Sequence, residues 1–311
     1  MYVDVRRRLV FLDNSNNALN VAGPVQYDTA TGELRAVKGA LADDLVSHVT
    51  NDGHGIALSS AKWLMVRGHN RNRLTFLRDD VQTYQTDKFM FFWTRFDPTG
   101  QYALISGTPA HRPLVIEVNT GEVSEPIAHY LDARVGDIDP LDGKLWAPDG
   151  RYDHSVLSAD CRTGEIRRVK IPAIGRVTRV RFAHDGASMF VIGSNNVVMR
   201  CDRDGSAIWS MSVAEYGERP LGGILLNESG SHLCVTLAAS KQSKWGEDII
   251  ISTDRGHLEK TIVRHQGPPA RLATDWFGDR LLTHTGEIID FFSGEVVGNV
   301  NPASAKALSR T

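Results

Sequence analysis

The chain has 311 residues, 41% of them apolar, which is an ordinary globular composition able to bury a sizeable core. Its 35 basic and 37 acidic side chains leave a formal charge of -2, so there is no global field of the kind that gathers nucleic acid or an anionic membrane. No apolar run approaches the ~18 residues of a spanning helix, Asp13 cuts short the apolar run that follows Arg6–Arg8 before it reaches the length of an export signal, and three widely spaced cysteines, Cys161, Cys201 and Cys234, suit a reducing compartment better than a disulfide framework.

The first predicted strand is Tyr2–Val5, which either begins the first repeat unit or crosses over to complete the last. A Thr-Gly-Glu turn follows at Thr31–Glu33. Related turns recur at Thr120–Glu122, Thr163–Glu165, Asp204–Ser206, Arg255–His257 and Ser293–Glu295, and Arg78–Val81 fills the one double-length gap. Seven turns between Gly32 and Gly294 give a mean period of about 44 residues, which points to one small sheet per repeat. Residues 38–49 place Leu41, Leu45 and Val49 four apart, a spacing that predicts one or two helical turns. The second unit, about 45–87, has strands at Ile56–Ser60 and Arg73–Leu77 with Ala61–Asn72 inserted between them.

The third unit turns at Asp97–Gly100 into an apolar strand, Tyr102–Gly107. In the fourth, LDGKLWAPDGRYDH contains two Asp-Gly pairs, and spacing separates them. Gly143 lies 43 residues from both Gly100 and Gly186, whereas Gly150 would lie 50 and 36 away. Asp142-Gly143 is therefore the turn in register, and Asp149-Gly150 is a later turn of the same unit. The fifth unit is the clearest, with strands at Thr178–His184, Ser188–Ser194, Val197–Arg203 and Ala207–Val213. The sixth has a long second turn, Lys241–Glu247, and the last strand of the seventh is Glu295–Val300.

Second strands such as Met189–Gly193 are almost wholly apolar, as expected where both faces of a sheet are covered, while fourth strands such as Glu165–Ile171 mix in the charge of an outer edge. Seven such sheets bury their faces most simply by stacking on one another. The expectation is an all-β, single-domain chain over 1–311, a seven-bladed β-propeller of four-stranded antiparallel blades. Phe96–Gly107 and Phe182–Ser194 resemble the first hairpin of WD-repeat propellers, and Leu114–Val118 with the turn Asn119–Glu122 resembles the YVTN-type bacterial relatives. The resemblance spans the chain as degenerate repeats and implies the architecture alone.

Grouped chemistry is sparse in the sequence. The histidines are scattered, with His284–Glu287 the one HxxE and no third ligand nearby. There is no GxSxG elbow, phosphate loop or dinucleotide fingerprint. Asp137, Asp139 and Asp142 could be taken for a calcium run but read better as residues flanking a turn. Trp209, after Asp204-Gly205, sits where quinoprotein repeats dock a tryptophan on the neighbouring blade; a single occurrence reads as a core residue. No cofactor and no metal are expected. The connections before the first strands and between second and third strands carry Phe89, Tyr130, Arg134, Arg176, Tyr216, Arg219, Lys244, Trp245 and Arg264, and aromatics and arginine are the types enriched in interface anchors. Arg134, Arg176 and Arg219 fall at similar distances before their units' first turns, so they could converge on a carboxylate or phosphate. The expected function is a non-catalytic, cytoplasmic platform that binds another protein or peptide, without nucleic acid or membrane insertion. The alternative is an enzyme of lactonase or lyase type with charged residues at the mouth of a central channel, an argument from fold alone.

Overall fold

The computed structural model describes residues 2–4, 9–12, 24–28, 31, 33–41, 44–49, 55–60, 64–66, 69–78, 81–89, 92–96, 102–107, 114–124, 131, 135–152, 154–160, 162–172, 174–216, 220–227, 229–237, 247–263, 273–277, 280–283, 287–290 and 293–299. They form seven antiparallel sheets in chain order. The first holds β1 (Tyr2–Asp4), β2 (Leu9–Leu12), β3 (Val25–Asp28) and β4 (Leu34–Ala36). The second holds β5 (Asp44–Val49), β6 (Gly55–Ser60), β7 (Leu64–Val66), β8 (His69–Arg78) and β9 (Val81–Phe89), and the third β10 (Phe92–Phe96), β11 (Tyr102–Gly107), β12 (Leu114–Glu117) and β13 (Val123–Ser124). Next come β14 (Asp137–Ile138), β15 (Leu145–Pro148), β16 (Ser155–Ala159) and β17 (Ile166–Lys170), then β18 (Val177–Phe182), β19 (Ser188–Gly193), β20 (Val197–Asp202) and β21 (Ala207–Ser212). The last two are β22 (Pro220–Leu226), β23 (His232–Leu237), β24 (Glu247–Ser252) and β25 (Leu258–Val263), and β26 (Ala273–Phe277), β27 (Arg280–Thr283), β28 (Glu287–Asp290) and β29 (Val296–Asn299). Six sheets have four strands in simple sequence order. The second has five. The strands divide between two compact units, β1–β13 in the first and β14–β29 in the second.

The recurrent turns are one device. Asp160 N donates to Glu165 O and Gly164 N to Asp160 O, both at 2.8 Å, while the Asp160 carboxylate takes the amides of Arg162 and Thr163. Glu117–Glu122 and Asp290–Glu295 repeat the two backbone bonds. The residue whose amide donates back to the turn's opening carbonyl must enter the left-handed region, which a Cβ resists and glycine does not. Gly121, Gly164, Gly205, Gly256 and Gly294 do so, with φ between 65° and 88°; Gly32 lies outside the described residues. Gly143 has φ +70° between β14 and β15, whereas Gly150 follows β15 without a positive φ. Neither has an atom within 4 Å of where a Cβ would stand, so backbone conformation alone separates them. Gly143→Ala is expected to lower stability by about 1 kcal/mol and Gly150→Ala to leave it unchanged in urea unfolding; equal losses would contradict the assignment.

Within each unit, faces of the inner strands meet neighbouring sheets. Along β19, Met189 and Val191 pack with Trp146, Val156 and Val169 of the preceding sheet, and Phe190 and Ile192 with Leu226, Leu233, Val235 and Ile249 of the following one. All six residues of β19 are buried as a result, whereas of β17 only Val169 is. First strands lie beside first strands, β14 by β18, β18 by β22 and β22 by β26, and Val180 N reaches Val135 O at 2.9 Å. In the first unit, Ala57, Leu74 and Phe76 pack in the same way with Ala103, Ile105 and Ile116.

Three expectations need correction or settling. Residues 44–49 are strand β5, paired with β6, and Leu41 is 53% exposed. The four-residue spacing there is incidental, and β-branched Val46 and Val49 suit the pleat that pairing offers. The 61–72 insertion contributes β7, which folds back on an extended β8. Finally, Tyr2–Asp4 pairs with Leu9–Phe11 within the first sheet, and the last sheet holds β26–β29, so among the described residues neither takes a strand from the other end of the chain.

Candidate functional site

An antiparallel sheet of four consecutive strands puts its first and third turns at one end and its second turn, with the connections to neighbouring sheets, at the other. In the second unit these two ends differ in what their polar groups do. At the first-turn end they are spent between sheets. Arg203 forms ion pairs with Asp139 and, at 3.1 Å, with Asp142; Arg181 lies 3.3 Å from Asp137, whose other oxygen accepts the Phe182 amide at 2.9 Å. Arg167 pairs with Asp204 at 2.6 Å, and His184 Nε2 lies 2.8 Å from Asn227 O. The aspartates at 137, 139 and 142 are thus held by arginines of the next sheet. Asp139 is fully buried, and burial pushes its carboxyl above the ordinary aspartate range against the opposing pull of the Leu141 amide and Arg203. Trp209 docks on the following sheet, its Nε1 donating to Thr253 O at 2.7 Å and its ring covering Gly256. Among the described residues no group of three or more His, Cys, Asp and Glu is placed to hold a metal ion.

At the opposite end, short loops lock to one another through their backbones. Ser194 N donates to Arg176 O at 2.8 Å and Arg176 N to Ser194 Oγ at 2.9 Å. Val213 N donates to Asn196 O at 2.8 Å, and Tyr216 N to Val213 O; Asn196 supplies the left-handed φ of 60° that this turn needs. A Cβ on Gly193 would stand 2.4 Å from Ile174 Cγ1, so the two loops meet closely. One sheet earlier, His154 Nδ1 lies 2.8 Å from Ile174 O and His154 O accepts the Ile171 amide. Beside it, buried Asp149 accepts Arg168 Nε at 2.7 Å, and the same guanidinium lies 4.1 Å above the Tyr152 ring. Burial works to raise the Asp149 carboxyl, but Arg168, the Arg151 amide and Ser155 together hold it below the usual range. Tyr216 is raised by its hydrogen bond to Glu215. Arg151, Tyr152 and Arg176 are exposed on this rigid frame, and Tyr216 is half-buried.

Of the nine residues expected to bind a partner, Arg176 and Tyr216 flank the β18–β21 sheet at this end, and Phe89 is the last residue of β9, in register with Asn72. Tyr130, Arg134, Arg219, Lys244, Trp245 and Arg264 lie outside the described residues. Sequence reasoning missed Tyr152, Asp149 and Arg168. The signal was present in Pro148-Asp149-Gly150, a second turn whose aspartate binds its own following amide.

No family model matches the chain, and no curated protein matches it in sequence. In structure it is similar to the β-propeller domain of Cps50 (Swd1) from Myceliophteria thermophila, with a TM-score of 0.62 at 12% identity over 94% of this chain and 92% of that one. It is also similar to hydrazine synthase of Kuenenia stuttgartiensis, with a TM-score of 0.51 at 17% identity over 67% of this chain and 58% of that one. The fold is a β-propeller, and its seven sheets are the blades. Likeness at these identities carries the architecture and no activity.

Proposed function

We propose that the chain is a protein-interaction platform, a propeller of degenerate WD- or YVTN-like repeats without catalysis of its own that binds a partner protein through the loop end of its blades. The observation that carries this reading is the contrast between the two ends of the β14–β21 sheets. One end uses its arginines and aspartates to join sheets, whereas the other holds Arg151, Tyr152 and Arg176 exposed, with Tyr216 half-buried beside the core, on loops fixed by backbone bonds. Arginine and tyrosine on a pre-organised surface supply much contact at little entropic cost. Buried thiols at Cys201 and Cys234 fit a reducing cytoplasm, and burial pushes the Cys201 thiol up to about 12. Among the described residues no helix is long and apolar enough to cross a membrane.

Affinity capture with the immobilised chain tests the reading. Arg176→Ala, Tyr216→Ala and Trp245→Ala, separately and combined, are expected to reduce recovery of a specific partner at least about tenfold. Arg255→Ala, exposed at the opposite end, is expected to leave recovery unchanged. Equal recovery from all variants would refute the loop-end site, and lactone hydrolysis or lyase turnover by the purified chain would favour the enzyme reading.

A further inference from the structure

The second sheet departs from the repeat in a way that the platform reading does not use. β8 runs ten residues and β9 nine, the longest strands of the described residues. β6 pairs with β8 only from Gly55↔Arg78 to Ser59↔Leu74. His69–Arg73 therefore run past that pairing by five positions, about 17 Å of strand. On one side they meet β7, through Leu64↔Arg71, Met65↔Asn70 and Val66↔His69, and on the other β9 begins at Asn72↔Phe89. Among the described residues β7 has a strand neighbour on one side only.

Composition makes this ribbon unlike the rest of the chain. From Ala61 to Arg73 there are four cationic residues, Lys62, Arg67, Arg71 and Arg73, as well as His69, and no Asp or Glu, in a protein whose formal charge is -2. His69, Arg71 and Arg73 occupy alternate positions of β8, and alternate positions of a strand share a face. A protective role would put the charge on the edge strand, where it repels added strands. Here the three residues of the edge strand itself, Leu64-Met65-Val66, are uncharged, and His69, Arg71 and Arg73 stand one strand inward. That order suits an added strand with carboxylates, because alternate strands of a sheet lie only about 10 Å apart and arginine pairs with carboxylates in two-pronged hydrogen bonds.

We propose that β7 takes up an extended, Asp/Glu-rich segment of a partner protein as an additional strand, with the cations of β8 matched to its carboxylates. This rests on the platform reading and names the chemistry of the partner. A peptide supplies the main-chain donors and acceptors that a strand edge requires and that a phosphodiester chain lacks. A long polyanion would also meet the net negative charge of the rest of the molecule.

Fluorescence anisotropy with the full chain tests the proposal, using a fluorescein-labelled peptide of alternating Glu and Thr, its Lys-Thr counterpart, and single-stranded DNA of matched length. The Glu-Thr peptide is expected to bind with an affinity that falls as salt rises, and to slow amide exchange at Leu64–Val66. Arg71→Gln/Arg73→Gln and the corresponding double glutamate variant, each checked for folding by circular dichroism, are expected to weaken it about tenfold or more. DNA bound as tightly as the acidic peptide, a change under about twofold in both variants, or no added protection at β7 would overturn it. Partner capture lost in Arg176→Ala but unaffected by the Arg71/Arg73 variants would refute this inference while leaving the platform reading intact.

Discussion

Trp209→Ala is expected to destabilise the protein by about 3 kcal/mol in urea unfolding, the low end for removal of a packed tryptophan because this one is only partly buried. The ring lies in β21 and is spent on the sheet that follows. Its Nε1 donates to Thr253 O at 2.7 Å and a Cβ on Gly256 would lie 2.3 Å from its Cδ2, while within its own sheet its centroid stands 6.0 Å from that of Phe190. Trp209→Phe keeps most of the packing and loses the hydrogen bond, so its cost is expected to be nearer 1 kcal/mol. Gly256→Ala adds a test of the geometry. In the wild-type background it suffers both the left-handed backbone, φ +65°, and the ring, whereas in the Trp209→Ala background only the backbone cost of about 1 kcal/mol remains. Additive losses in that double-mutant cycle would show that the indole does not sit on the turn.

Arg203→Met is expected to cost a similar amount, about 3 kcal/mol at neutral pH, because it leaves the buried Asp139 carboxylate without its cation. The pH dependence identifies the cause. The folded-state value of Asp139 lies above that of the unfolded chain, chiefly through burial, and removing Arg203 takes away one of the interactions that hold it down. Such a group favours the folded state in acid, below its unfolded value, and that contribution is lost as pH rises through the folded value. The deficit of Arg203→Met is therefore expected to shrink as the pH is lowered from neutrality. Asp149 behaves in the opposite sense: its folded value is depressed, so its contribution is present above the ordinary aspartate range and is lost as pH falls through the lowered value. That loss occurs in both proteins and cancels in their difference. A deficit that is constant or grows in acid would rule out an uncompensated Asp139 as its source, and Asp139→Asn is expected to restore much of the stability in the Arg203→Met background.

The blades were legible because their punctuation is chemical. A glycine that must adopt positive φ leaves a mark in the sequence, and spacing then decided between Gly143 and Gly150 in favour of the residue that has φ +70°. Strand limits in the fifth unit came within a residue or two of β18–β21 for the same reason. Where the reading failed, a local pattern competed with pairing. Leu41, Leu45 and Val49 have helical spacing, yet β6 offers Asp44–Val49 a ladder, and the ladder decides. The candidate site was legible only as residue types on predicted loops. Arg176 and Tyr216 lie at one end of a sheet because the meander alternates its turns, which periodicity does reveal. The pairing of Asp139 with Arg203, 64 positions on, depends on which sheet lies next to which, and no local spacing encodes that.

Because β1 completes the first sheet and β26–β29 the last, every strand ladder among the described residues is closed within one contiguous stretch of chain. A tandem duplication or loss of a whole stretch therefore leaves no strand orphaned in any other. Lineages of such proteins are free to change their number of modules in single genetic events, and the seams between modules are where fusion or insertion of foreign sequence is best tolerated.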